Sequence, residues 1–151
     1  MKSINNFMLR VSYLLLAGIV VVLMYEVILR TFFPSSTTWY LEVSSLLGAC
    51  CGTLGAAYLL QEEGHLGVDI VLERLSPKHK NGMLFFTSVF GVLITLIIVI
   101  MLIVEIVWTF KLGKLTDNAR IPIGPFQIVS TLGLLLLAVQ FALRAKKYYY
   151  K

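Results

Sequence analysis

Charge is scarce in this chain: Asp, Glu, Lys and Arg make up 14% of its 151 residues, whereas 58% are hydrophobic. A soluble domain has roughly 45–50% apolar residues, so this composition excludes an ordinary water-facing globule and makes lipid the solvent for most of the chain. Histidine is almost missing, and both copies, His65 and His79, fall in one polar connection. Neither projects from an apolar run as the axial ligand of a membrane haem must, which argues against a haem-bearing redox anchor. The two cysteines, Cys50 and Cys51, are adjacent within an apolar run, so they form neither a disulfide framework nor a spaced metal-ligand set. His65 lies near Glu62, Glu63 and Asp69, but no recognised ligand spacing joins them, and His65 reads as a hydrogen-bonding loop residue. Serine elbows, phosphate-cradling glycine loops and pocket-forming carboxylate pairs are also missing. The expectation is a protein with no enzymatic activity and no cofactor. The net charge of +5 is spread between apolar blocks rather than gathered into a stripe, so nucleic acid is not an expected partner.

What the chain does have is long uncharged runs. Crossing a hydrocarbon core of about 30 Å takes roughly 20 residues of helix. Between Arg10 and Arg30 only Glu26 is charged, and Val43 to Leu60, Met83 to Val104 and Ile121 to Leu143 carry no charge. These runs predict an all-α membrane protein forming one four-helix domain over residues 1–151, with spans near 11–32, 40–61, 81–108 and 122–144. The first run follows Lys2 and Arg10 as a signal peptide would, but it is too long and no small-residue cleavage site follows Tyr25-Glu26-Val27. Gly64 can end the second helix, Ser76-Pro77 can start the third, and Pro122 or Pro125 can start the fourth.

Of the 13 basic residues, Lys2, Arg10, Arg74, Lys78, Lys80, Arg144, Lys146, Lys147 and Lys151 fall on one side of such an arrangement. Arg30, Lys111, Lys114 and Arg120 fall on the other. The positive-inside rule makes the richer side cytoplasmic and both termini with it, in a bacterial inner membrane. Trp39 and Trp108 then lie at the outer boundary and Tyr148 to Tyr150 at the inner one, where amphipathic rings are favoured. The connection between the second and third spans carries Val68, Val71, Leu72 and Leu75 at helical spacing, with Asp69, Glu73 and Arg74 on other faces. This pattern predicts a short interfacial amphipathic helix; a solvated loop is the alternative.

The acids in the spans share one depth. At about 1.5 Å per residue, Glu26 lies roughly 24 Å along a helix from Arg10, and Glu105 roughly 37 Å from Lys80. Glu42 opens the second span from the same outer side, in a layer with Arg30, Lys111, Lys114 and Arg120. The membrane centre is left without an ionisable relay, the place where ion-coupling acids usually sit. Glu26 and Arg30 have the i, i+4 spacing of an ion pair, and Arg30 could equally reach Glu42 across the outer loop. In the second span, Gly48, Gly52 and Ala56 recur at four-residue steps beside Gly55, a seam that admits close approach of another helix.

Taken together, these features resemble the small integral-membrane subunit of tripartite ATP-independent periplasmic (TRAP) transporters. The resemblance spans nearly the whole chain: four spans, Arg30 ending the first, Trp39 and Glu42 entering the second, and Gly64-His65-Leu66-Gly67-Val68-Asp69 after it. It implies a scaffold, held in place by membrane lipids, beside a large multi-span TRAP membrane subunit that carries the substrate and sodium sites. A periplasmic substrate-binding protein would dock transiently, with Lys111, Lys114 and Arg120 as possible contacts. Organic acids, C4-dicarboxylates or sugar acids such as sialic acid, are the implied cargo. Two other readings remain open from the residues: an autonomous small multidrug antiporter using Glu26, and a membrane assembly factor.

Overall fold

The computed structural model describes residues 2–32, 38–61 and 77–149. They form four helices, α1 (Lys2–Phe32), α2 (Trp39–Gln61), α3 (Pro77–Leu112) and α4 (Gly124–Tyr149). All four are long and apolar enough to cross a membrane, as the charge-free runs predict. The stretch expected to form an interfacial helix, with His65, Asp69, Glu73 and Arg74, lies outside the described residues.

Each helix runs on past its apolar segment because polar residues with good helix propensity flank it and nothing breaks the backbone ladder. The 36 residues of α3 measure about 54 Å at ~1.5 Å rise per residue, well beyond a ~30 Å hydrocarbon core. Its last turns therefore carry Trp108 and Lys111 out of the apolar layer. Pro77 opens α3 at the first helical position, where its missing N–H deprives the helix of nothing. Gly113 closes it in the left-handed region, with φ 57°. There the Gly113 N–H donates to the Phe110 carbonyl at 3.4 Å and the Lys114 N–H to the Thr109 carbonyl at 3.0 Å, the two hydrogen bonds of a Schellman cap.

The principal packing pairs are α1 with α2, α2 with α4, and α4 with α3. The helices thus stand in a row in the order α1, α2, α4, α3, with α2 and α4 in the middle. Neighbours α1 and α2 are antiparallel, as are α3 and α4, while α2 and α4 run parallel. Outward faces remain strongly apolar: Val21 is 67% and Met101 68% exposed. In water this would be untenable, but hydrocarbon is as apolar as the side chains and imposes no penalty on them.

With no hydrophobic force pulling helices together in lipid, contact rests on close fit and on small polar side chains. A Cβ added to Gly133 of α4 would stand 2.8 Å from Thr53 Oγ1 and 2.9 Å from the Thr53 backbone carbon, so the α2 and α4 backbones touch there. On the other side of α4, the Phe141 ring occupies the space over Gly91 of α3, 2.6 Å from where a Cβ would lie. The adjacent cysteines divide between two neighbours because successive helix positions point about 100° apart. Cys50 Sγ donates to the Phe126 carbonyl at 3.4 Å and lies 3.5 Å from Ser130 Oγ, on α4. Cys51 Sγ donates to the Ser12 carbonyl at 3.4 Å, while Ser12 Oγ donates to the Cys51 carbonyl at 3.0 Å, on α1.

Because the Thr53 backbone as well as its short, branched side chain faces Gly133, Gly133→Val is expected to force α2 and α4 apart and destabilise the chain by about 1–3 kcal/mol, as over-packing does. Gly52→Ala, which points into open space, should be neutral by the same thermal-unfolding measurement in mild detergent. Equal stability of the two variants would refute the close-approach account.

Candidate functional site at the polar end of the helix layer

One end of the layer gathers every acid among the described residues, Glu26, Glu42, Glu105 and Asp117, together with Arg30, Lys111, Lys114 and Arg120. It comprises the last turns of α1 and α3, the first turn of α2, and the connection from Gly113 to Ile123. The opposite end carries the starts of α1 and α3 and the ends of α2 and α4, and its charged residues among those described are all basic.

At this end α1 and α2 are joined by aromatic and basic side chains. Arg30 Nη2 donates to the Tyr40 hydroxyl at 3.1 Å, and its guanidinium lies over the Tyr40 ring, 5.8 Å from the centroid. Tyr25 and Trp39 form a tilted ring pair with centroids 6.2 Å apart. Arg30 also stands 3.7 Å from the Glu26 carboxylate, which is only 4% exposed while the Arg30 side chain is 59% exposed. The helical i, i+4 pairing is therefore the one formed. Arg30 turns to Glu26 and Tyr40, whereas Glu42 turns to the other side of α2, so the alternative Arg30 to Glu42 contact is not made.

Glu42 meets the α3–α4 connection instead. Its Oε1 accepts from the Asn118 backbone N–H at 2.9 Å and from Asn118 Nδ2 at 2.7 Å, and its Oε2 accepts from the Ala119 N–H at 2.9 Å. Successive N–H groups of a turn form a concavity suited to an anion. Position in the first turn of α2 also favours a negative charge against the helix dipole. The connection itself is a short hairpin, with a bridge between Leu115 and Pro122 and the Thr116 N–H bonded to the Ile121 carbonyl at 2.9 Å. Arg120 takes φ 51°, the left-handed conformation an L side chain rarely adopts. Between hairpin and α2 lies a crevice of about 240 Å³ lined by Glu42, Ser45, Leu46, Leu115, Thr116, Asp117 and Ile123.

The three cations expected to act together are in different situations. Lys114 Nζ pairs with Glu105 Oε1 at 2.9 Å. Lys111 Nζ lies over the Trp108 ring, 5.8 Å from its centroid. Arg120 is exposed at the hairpin tip. Glu105 is thus drawn into the same rim, and the three acids Glu26, Glu42 and Glu105 each have a partner within the chain. No group of three or more His, Cys, Asp or Glu positioned to hold a metal occurs among the described residues.

Of the glycine seam, Gly55 would bring a Cβ to 3.3 Å from Ser12 Oγ on α1. Gly48 and Gly52 have nothing within 4 Å. Tyr40, Asn118 and Ala119 join the site without having been singled out in the sequence. Tyr40 is one aromatic among many, and backbone N–H donors at residues 118 and 119 leave no mark in side-chain chemistry.

The family model described as tripartite ATP-independent periplasmic transporters, DctQ component, matches residues 19–147. The chain belongs to that family. It is a small TRAP transporter component, an integral-membrane chain, and its family is one of transporter parts rather than enzymes. No curated protein and no solved structure matches it. The matched region takes in the α1–α2 junction, α3, the hairpin and α4 up to Lys147, so the whole polar end of this DctQ component lies within the family's own bounds.

Both members of the Lys114–Glu105 pair are about half exposed, at 41% and 48%. Lys114→Ala is accordingly expected to change stability by no more than about 1 kcal/mol, the usual worth of an exposed pair. A thermal-unfolding loss several times larger would show that the pair holds the hairpin.

Proposed function

We propose that this DctQ component is the stationary membrane scaffold of a sodium-coupled, binding-protein-dependent transporter for organic acids, either C4-dicarboxylates or sugar acids such as sialic acid. The large multi-span subunit carries substrate and sodium, and the small chain frames it in the bacterial inner membrane with both termini cytoplasmic. The observation that carries this reading is the placement of the acids. Glu26, Glu42 and Glu105 all lie at one end of the layer and are engaged by Arg30, by the hairpin and by Lys114. A carboxylate that shuttles ions across a membrane is instead usually found within its depth, facing a water-filled path.

An autonomous multidrug antiporter would need Glu26 as its exchanging acid. The scaffold reading is favoured by the position of Glu26 in the last two turns of α1, beside Arg30. The open Gly48 and Gly52 positions belong to the same reading, as a seam for a helix outside this chain. The polar end faces the periplasm in this arrangement, so that Lys111, Lys114 and Arg120 meet the arriving substrate-binding protein.

Purification of the tagged chain in mild detergent should recover a large membrane subunit. Recovery of the chain alone as a self-associating, proton-driven drug exchanger would establish the antiporter instead. In the assembled complex, neutralising Lys111, Lys114 and Arg120 to Ala should weaken docking of the binding protein at low salt and flatten its salt dependence. Unchanged affinity at low ionic strength would remove these cations from docking.

A further inference from the structure

The α3–α4 hairpin has few bonds of its own. Beyond the Leu115–Pro122 bridge and the Thr116–Ile121 bond, the Ile121 N–H donates to Thr116 Oγ1 at 3.0 Å and the Ile123 N–H to the Lys114 carbonyl at 3.4 Å. A lone two-stranded hairpin this short is marginal in water, and Arg120 sits in a backbone conformation that is unfavourable for an L residue. What holds the tip comes from outside it. Three bonds of 2.7–2.9 Å run from Asn118 and Ala119 to one carboxylate on α2, across 76 and 77 residues of sequence. Bonds to an ionised acceptor are the stronger kind. Among the described residues no Lys or Arg nitrogen pairs with Glu42, so the carboxylate is committed to the hairpin.

We infer that Glu42 is a positioning residue for docking: by gripping Asn118 and Ala119 from α2, it fixes where the hairpin presents Arg120 and Asp117 relative to Lys111 on α3. This rests on the reading that the rim meets the substrate-binding protein. The same geometry specifies the partner's chemistry. Lys114 is paired with Glu105 and Arg30 with Glu26, so Lys111 and Arg120 are the exposed cations, and Asp117 the exposed acid, that lie outside these two ion pairs among the described residues of the rim. The complementary protein face therefore presents carboxylates to Lys111 and Arg120 and a cation or amide donor to Asp117.

The grip can be loosened without removing bulk. Glu42→Gln keeps one acceptor oxygen and sets an amide NH₂ against a hairpin N–H. In the complex with the large subunit, two quantities are read: amide hydrogen exchange over residues 115–121, and affinity for the substrate-binding protein. Loss of a hydrogen bond to a charged group corresponds to about a tenfold change. Exchange in Glu42→Gln should accelerate by about that factor and affinity should fall several-fold, with recovery of the large subunit unchanged. Asn118→Ala, which removes only the Nδ2 donor, should shift both in the same direction by less, and it serves as the test if Glu42→Gln does not assemble. Unaltered exchange would overturn the grip itself. Faster exchange with unaltered affinity, while Lys111→Ala with Arg120→Ala still weakens docking, would overturn the positioning role and leave docking at the rim standing. Affinity unmoved by all of these variants would overturn the docking reading and the positioning role together.

Discussion

A hydrocarbon layer offers no water to a polar group, so each N–H, carbonyl and hydroxyl within it has to find its partner in protein. The four helices satisfy their backbones internally, and several of their hydroxyl residues follow the same rule one turn at a time. Thr31, Thr53, Thr87, Ser88 and Thr131 donate to the carbonyls of Val27, Ala49, Met83, Leu84 and Gln127, at 2.6–3.0 Å. Thr95 does the same to Gly91. These side chains cost the span little because each is closed on its own helix. Charged groups have no such local solution, and they are accordingly found where the helices leave the apolar layer.

The same constraint shapes the helix contacts. Lipid removes the usual reward for burying leucines, so α1, α2, α4 and α3 adhere through glycines, cysteines and serines that let backbones come close. Helix α2 is the hinge of this arrangement in the plain geometric sense: Cys51 faces α1, Cys50 and Thr53 face α4, and Glu42 reaches the loop that joins α3 to α4. A row of helices, unlike a closed bundle, leaves broad apolar faces on both sides, which is consistent with a chain that works as part of a larger membrane assembly.

Much of the architecture was legible from residue order. Runs free of charge announced the spans, Pro77 marked the start of α3, and the four-residue interval between Glu26 and Arg30 anticipated their pairing. The polar end was legible only in part. Arg30 had two acids within nominal reach, and spacing could not choose between them; the facing of Glu42 away from α1 did. Lys111, Lys114 and Arg120 read as one basic cluster, yet Lys114 is turned back onto Glu105, one helix-end away, because the Schellman cap at Gly113 reverses the chain there.

The sequence alone determined that this chain carries four helices apolar enough to cross a membrane, at which end its helical acids gather and which family it resembles. These follow from composition and from intervals along one helix, which are local. Only the tertiary structure decided which helices touch, that the two cysteines part to different neighbours, and that Glu42 closes on backbone N–H groups at residues 118 and 119. Such a contact depends on the relative placement of two helices and a turn, and its donors are main-chain groups that every residue but proline carries, so nothing in the order of side chains could single them out.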